Sequence, residues 1–139
     1  MKRFILIFFV IAVISLACGP QGILYDYQNT RIVFGSGGGF TGNVTEYTLD
    51  ANGNLKMTES LSGNETNLGK IKKSGLKKIY KTLSELDLSK MNSNQPGNMY
   101  YFIKEVGPTD TNEVIWGSPD HETPEGIQEF YDLLISSMN

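Results

Sequence analysis

One cysteine, one histidine and one tryptophan are present among 139 residues. A lone Cys18 excludes an intramolecular disulfide, so stability must come from packing and hydrogen bonds. A lone His121 has no second histidine or further cysteine with which to complete a zinc site. Serine catalysis would have to take His121 as its base, and no G-x-S-x-G elbow is present. Positive charge is also short: 12 Lys and Arg stand against 15 Asp and Glu, a net charge of −3. That balance argues against a general nucleic-acid binder. Only one long apolar run exists, the thirteen residues Phe4 to Leu16, interrupted by Ser15 alone. As a helix it would reach about 20 Å, short of the roughly 30 Å hydrocarbon core that a spanning segment must cross.

With Lys2 and Arg3 ahead of it, that run has the layout of a signal peptide. It is followed by Ser15-Leu16-Ala17-Cys18-Gly19, which resembles the lipobox cut by lipoprotein signal peptidase, with Ser15 where leucine is more usual. The resemblance implies that residues 1–17 are removed and that Cys18 carries a thioether-linked diacylglycerol and a palmitate-type N-acyl chain. Such an anchor holds stably, because each buried methylene contributes roughly 0.8 kcal/mol and two lipid signals suffice. Two alternatives stay open, a secreted protein whose cysteine merely follows the cleavage site and an uncleaved N-terminal anchor. Either would also put the domain outside the cytoplasm. Gly19 is not an aspartate, and no acidic run follows it. The expectation is therefore an outer-membrane lipoprotein facing the periplasm, with residues 18–30 as anchor and tether and 31–139 as a single domain.

Once Lys2 and Arg3 are removed, ten basic residues face fifteen acidic ones, formally −5. Six of the ten, Lys70, Lys72, Lys73, Lys77, Lys78 and Lys81, fall within twelve residues. They read either as a patch meeting anionic headgroups or an acidic partner, or as the solvated face of a helix.

Ile23, Leu24, Tyr25 and Tyr27 are costly to leave in water, so part of the tether is expected to pack as an edge strand. Arg31–Phe34 and Val44–Leu49 read as strands. Asp50-Ala51-Asn52-Gly53-Asn54 reads as a hairpin turn leading to a returning strand at Leu55–Leu61. Leu76, Ile79, Tyr80, Leu83 and Leu86 recur at helical spacing, with Ser74 as expected cap and an end near Leu88. After a polar loop, Ser89–Asn98, the segments Tyr100–Val106 and Glu113–Trp116 flank a second hairpin turn. Thr123-Pro124-Glu125 reads as the start of a last helix that buries Ile127, Phe130, Tyr131, Leu134 and Met138. The order β-β-β-α-β-β-α predicts an α+β fold, an antiparallel sheet of four to five strands with both helices on one face.

Gly37-Gly38-Gly39-Phe40-Thr41-Gly42 matches G-x-G-x-x-G in letters, yet it leads into a strand rather than the helix a dinucleotide site needs. Asp50-x-Asn52-x-Asn54 begins like a calcium loop but has Leu55 and Leu61 where that loop needs glycine and a bidentate glutamate. Asp120-His121-Glu122 lacks a spaced ligand set and reads as a surface loop. No cofactor, metal or catalytic residue is expected. A small hydrolase using dispersed carboxylates remains the enzyme alternative.

Gly35 to Gly42 places five glycines in eight residues between two strands. Ordering them costs backbone entropy. They serve either a bulge or close backbone approach within the sheet, or a loop presenting Phe40 to a partner. Gly38-Gly39-Phe40-Thr41-Gly42, the following strand to Asp50, the helix, the Tyr-rich strand, and the proline-started last helix resemble emfourin, an inhibitor of thermolysin-like metallopeptidases. The resemblance spans residues 31 to 138 in order of elements, and in letters only the Gly-Gly-Phe-x-Gly run. This chain departs from it by the lipobox, by longer segments at 62–73 and 89–98, and by extra glycines. More broadly the chain is similar to small lipoproteins of Bacteroidetes-type bacteria. The resemblance implies a non-catalytic binding module whose protein partner would be a peptidase, with Gly38, Gly39, Phe40 and Gly42 at the contact.

Overall fold

A computed structural model describes Leu24, residues 26–91 and residues 93–139. The apolar run Phe4 to Leu16, Cys18, Ile23 and Tyr25 lie outside the described residues. The elements follow in the order β1 (Arg31–Gly38), β2 (Val44–Leu49), β3 (Asn54–Glu59), β4 (Glu65–Lys70), α1 (Lys73–Leu86), β5 (Met99–Val106), β6 (Thr111–Trp116) and α2 (Ile127–Ser136). The six strands form one sheet in the order β4-β3-β2-β1-β5-β6, every neighbouring pair antiparallel. The fold is α+β, as the element pattern predicts, with one strand more than expected.

Alternation decides which residues face the helices. Ile32, Phe34, Leu49, Leu55, Ile103, Val114 and Trp116 point to one face and are buried there with Leu76, Ile79, Tyr80 and Leu83 of α1 and Ile127, Phe130, Tyr131 and Leu134 of α2. Tyr131 stands edge-on to Phe34, Tyr101 and Trp116, and the indole of Trp116 donates to Gln128 at 3.0 Å. Both helices thus cover the same face, and no element among the described residues covers the other.

Several sequence expectations need correction. The segment expected to be an edge strand is not extended: Leu24 and Asp26 are helical and Tyr27–Asn29 turn. Leu24 and Tyr27 pack against the core all the same, so the folded unit takes in residues ahead of Arg31. The 62–73 segment holds β4, all six of whose residues are exposed. Helix α1 starts at Lys73 with Lys72 as its cap, and Ser74 makes no capping bond. Helix α2 starts at Ile127, because Gly126 at φ 76° sits in the left-handed region that a right-handed helix cannot use. The expected polar loop after α1 contains a single 3₁₀ turn, Leu88–Lys90.

The two margins of the sheet differ. Ser93–Gln95 lies along β6, with Ile115 donating to Ser93 at 2.9 Å and Gln95 donating to Ile115 at 3.0 Å. At the other margin β4 carries a bulge: Leu55 pairs with Gly69 and Lys56 with Asn67, leaving Leu68 unpaired between them.

Candidate functional site

The strand directions sort the loops into two ends. β1, β3 and β6 run one way and β2, β4 and β5 the other. One end therefore gathers the segment up to Thr30, the turns at 50–53 and 107–110, and the start of α1. The opposite end gathers the β1–β2 loop, the β3–β4 turn and the start of β5. Along β1 the two ends are about 23 Å apart.

The glycine run has two parts with different reasons. Strand β1 extends to Gly38, beyond the expected Phe34. Gly35 and Gly37 lie inside it on the open face, opposite Phe102 and Tyr100. A Cβ on Gly35 would collide with the Thr45 carbonyl oxygen of β2 and lie 3.0 Å from the Phe102 ring, and one on Gly37 would lie only 2.6 Å from the Tyr100 hydroxyl. The two aromatics lie down over the glycines, which is how Phe102 stays buried on a face that no helix covers.

The second part turns. Gly38 pairs with Met99 at the end of β1, and Gly39 donates to the Asn98 carbonyl at 2.7 Å. Gly42 donates back to the Gly39 carbonyl at 3.2 Å, closing a turn whose tip is Phe40 and Thr41. Gly39 at φ 72° and Gly42 at φ 64° occupy the region that costs an ordinary residue roughly 1–2 kcal/mol. Phe40 is 109% exposed, so its ring packs on nothing. Phe40 is therefore no part of the core.

The loop base is fixed. Ser60 donates from its backbone to the Val44 carbonyl at 2.9 Å and accepts from the Val44 N–H at its Oγ at 2.8 Å. The Asn43 side-chain oxygen accepts from Ser60 Oγ at 3.2 Å and from the Leu61 N–H at 3.4 Å. This brings Leu61, 69% exposed, beside the Phe40 loop. Met99, 51% exposed, follows Asn98, and its sulfur would sit 3.1 Å from a Cβ on Gly39. Three of the four large exposed hydrophobics among the described residues thus share one end of the sheet. Sequence reasoning found Phe40 and missed Leu61 and Met99. The pairing of chain ends that unites them is a property of register, which no local pattern carries.

The other motifs fall elsewhere. The Asp50 carboxylate accepts from the N–H groups of Asn52 at 2.8 Å and Asn54 at 2.9 Å and from the Asn54 amide at 2.7 Å, making the hairpin turn expected in place of a calcium loop. Asp120, His121 and Glu122 are exposed, and His121 meets Ser118 Oγ at 3.2 Å. Among the described residues no group of three or more His, Cys, Asp or Glu is placed to hold a metal ion. No helix among them is long and apolar enough to cross a membrane. At the end away from Phe40, burial raises the Glu105 carboxyl above its usual range; the Asn112 amide partly offsets this, while Asp110 and Asp87 add to it.

No protein-family model matches the chain, and no curated protein matches it.

Proposed function

We propose that this chain is a lipid-anchored envelope protein, tethered through Cys18 and facing the periplasm, whose domain binds a protein partner without catalysing a reaction. The observation that supports the binding reading is the full exposure of Phe40 on a turn whose base is hydrogen-bonded to the neighbouring turn. An aromatic held in water on a fixed backbone loses little conformational freedom when it is covered. Anchors of that kind dominate binding energy in protein interfaces. Leu61 and Met99 widen the apolar area around it.

Peptidase inhibition is the specific form that the Gly-Gly-Phe-x-Gly resemblance favours. The test compares the full chain with Phe40→Ala in two assays, inhibition of a thermolysin-like metallopeptidase and capture of partners from envelope extract. Loss of inhibition in the variant supports the specific form. Capture that depends on Phe40 without any inhibition supports a different protein partner. Equal behaviour of the two proteins in both assays rejects this loop as the binding site.

A further inference from the structure

At the end of the sheet opposite Phe40, lysines surround the N-terminal segment. Leu24 and Gln28 share a hollow with Lys70 at the end of β4 and Lys73 at the start of α1. Further along α1, Ser84 borders Asp26, Tyr27 and Thr30. Positions 73, 77 and 84 fall on one stripe of a helix, so Lys77 lies between two residues that both border the N-terminal segment. Lys81 continues the row one turn on. Tyr27 fixes the arrangement by stacking on Tyr80 at 5.0 Å between ring centres.

All six lysines from Lys70 to Lys81 are exposed, and of these six only Lys81 makes an ion pair among the described residues, with Glu85 at 3.7 Å. Asp26, Asp50, Glu105 and Asp110 lie at the same end, yet none reaches ion-pairing distance of these lysines. The charge is left for something outside the domain.

We propose that this lysine row is a docking surface for the anionic headgroups of the bilayer to which the chain is anchored. The inference rests on the reading of Cys18 as lipidated. Six Cα steps separate Cys18 from Leu24, so Cys18 lies within about 22 Å of Leu24, which borders the Lys70 and Lys73 end of the row. That reach allows the row to come within the roughly 8 Å range over which charges act at physiological salt. A bilayer is the occupant that the tether itself supplies, and its sign is complementary to a row of lysines in an otherwise acidic chain. Docked in this way, the domain turns Phe40, Leu61 and Met99 away from the membrane.

The full chain, purified with its lipid and placed on vesicles, tests this by the rate at which each lysine is acetylated. Vesicles of phosphatidylcholine alone are compared with vesicles containing one part in about four of phosphatidylglycerol, a composition within the range that attracts basic segments. Lys70, Lys73, Lys77 and Lys81 should react about five-fold more slowly on the anionic vesicles, and high salt should abolish the difference. Lys56 and Lys104, on the open face of the sheet, should react alike on both. The triple variant Lys73→Glu, Lys77→Glu, Lys81→Glu should lose the protection at Lys70 while its melting temperature shows that it folds. Labelling of the same preparation with a palmitate analogue separates the two readings. Labelled protein with equal lysine rates on both vesicles overturns the docking surface alone. An unlabelled Cys18 removes the anchor and the docking inference with it.

Discussion

Phe40 and Glu105 are opposite cases of a residue out of place, an apolar ring in water and a carboxyl partly withdrawn from it. Because Phe40 packs on nothing, its truncation to alanine is expected to leave the melting temperature within about 1 °C, while costing about 2 kcal/mol or more of partner binding if it is a central anchor. A thermal melt of both proteins checks the first half, and a large drop in the variant would end the case for a presentation loop. Glu105 behaves differently because burial raises its folded-state pKa. The stability tied to its proton is fully present below the ordinary glutamate value of about 4.3 and is lost as pH rises through the raised folded value. At neutral pH the charge is then a net cost. Glu105→Gln is expected to melt higher than the parent at pH 7, with the difference closing toward pH 4. A difference that stays constant over that range would have another cause.

At the scale of elements, α1 is joined to the N-terminal segment by one buried bond, Tyr80 Oη donating to the Thr30 carbonyl at 3.1 Å. Tyr80→Phe keeps the ring and leaves that carbonyl unpaired, which should cost about 1–3 kcal/mol in denaturant unfolding. In α2, Phe130 is fully buried, and Phe130→Ala should cost about 3–5 kcal/mol, a large share of the stability of a domain this size. Both helices were legible in the sequence because each buries one stripe, and spacing reports a stripe directly. Strand β4 was not legible, since an edge strand with all six residues exposed shows no alternation. The helix starts were misplaced by a residue or more, because Ser74 and Thr123 are good caps by type while the backbone begins each helix elsewhere. The candidate site was half legible. The glycine run announced an unusual backbone, but its division into strand glycines under Phe102 and Tyr100 and turn glycines around Phe40 depends on which strand lies alongside.

At the scale of the whole molecule, the positions of the two ends follow from an antiparallel sheet whose first strand enters at one end and delivers its glycines to the other. The anchor reading makes a separate prediction. Cys18→Ala should abolish labelling by a palmitate analogue and leave uncut precursor on a gel, because the lipoprotein peptidase acts on the modified cysteine; equal labelling of both proteins would reject it.

A protein confined to a membrane is concentrated far beyond its value in free solution, and a strand edge is a template on which another copy can assemble. Here Ser93–Gln95 covers one margin at Ile115, and the other is bent by the unpaired Leu68 and carries the Lys56–Glu65 ion pair. Neither margin offers a flat ladder to a neighbour. If the chain is anchored as proposed, these interruptions disfavour edge-to-edge pairing of crowded copies, which would leave each aromatic tip free.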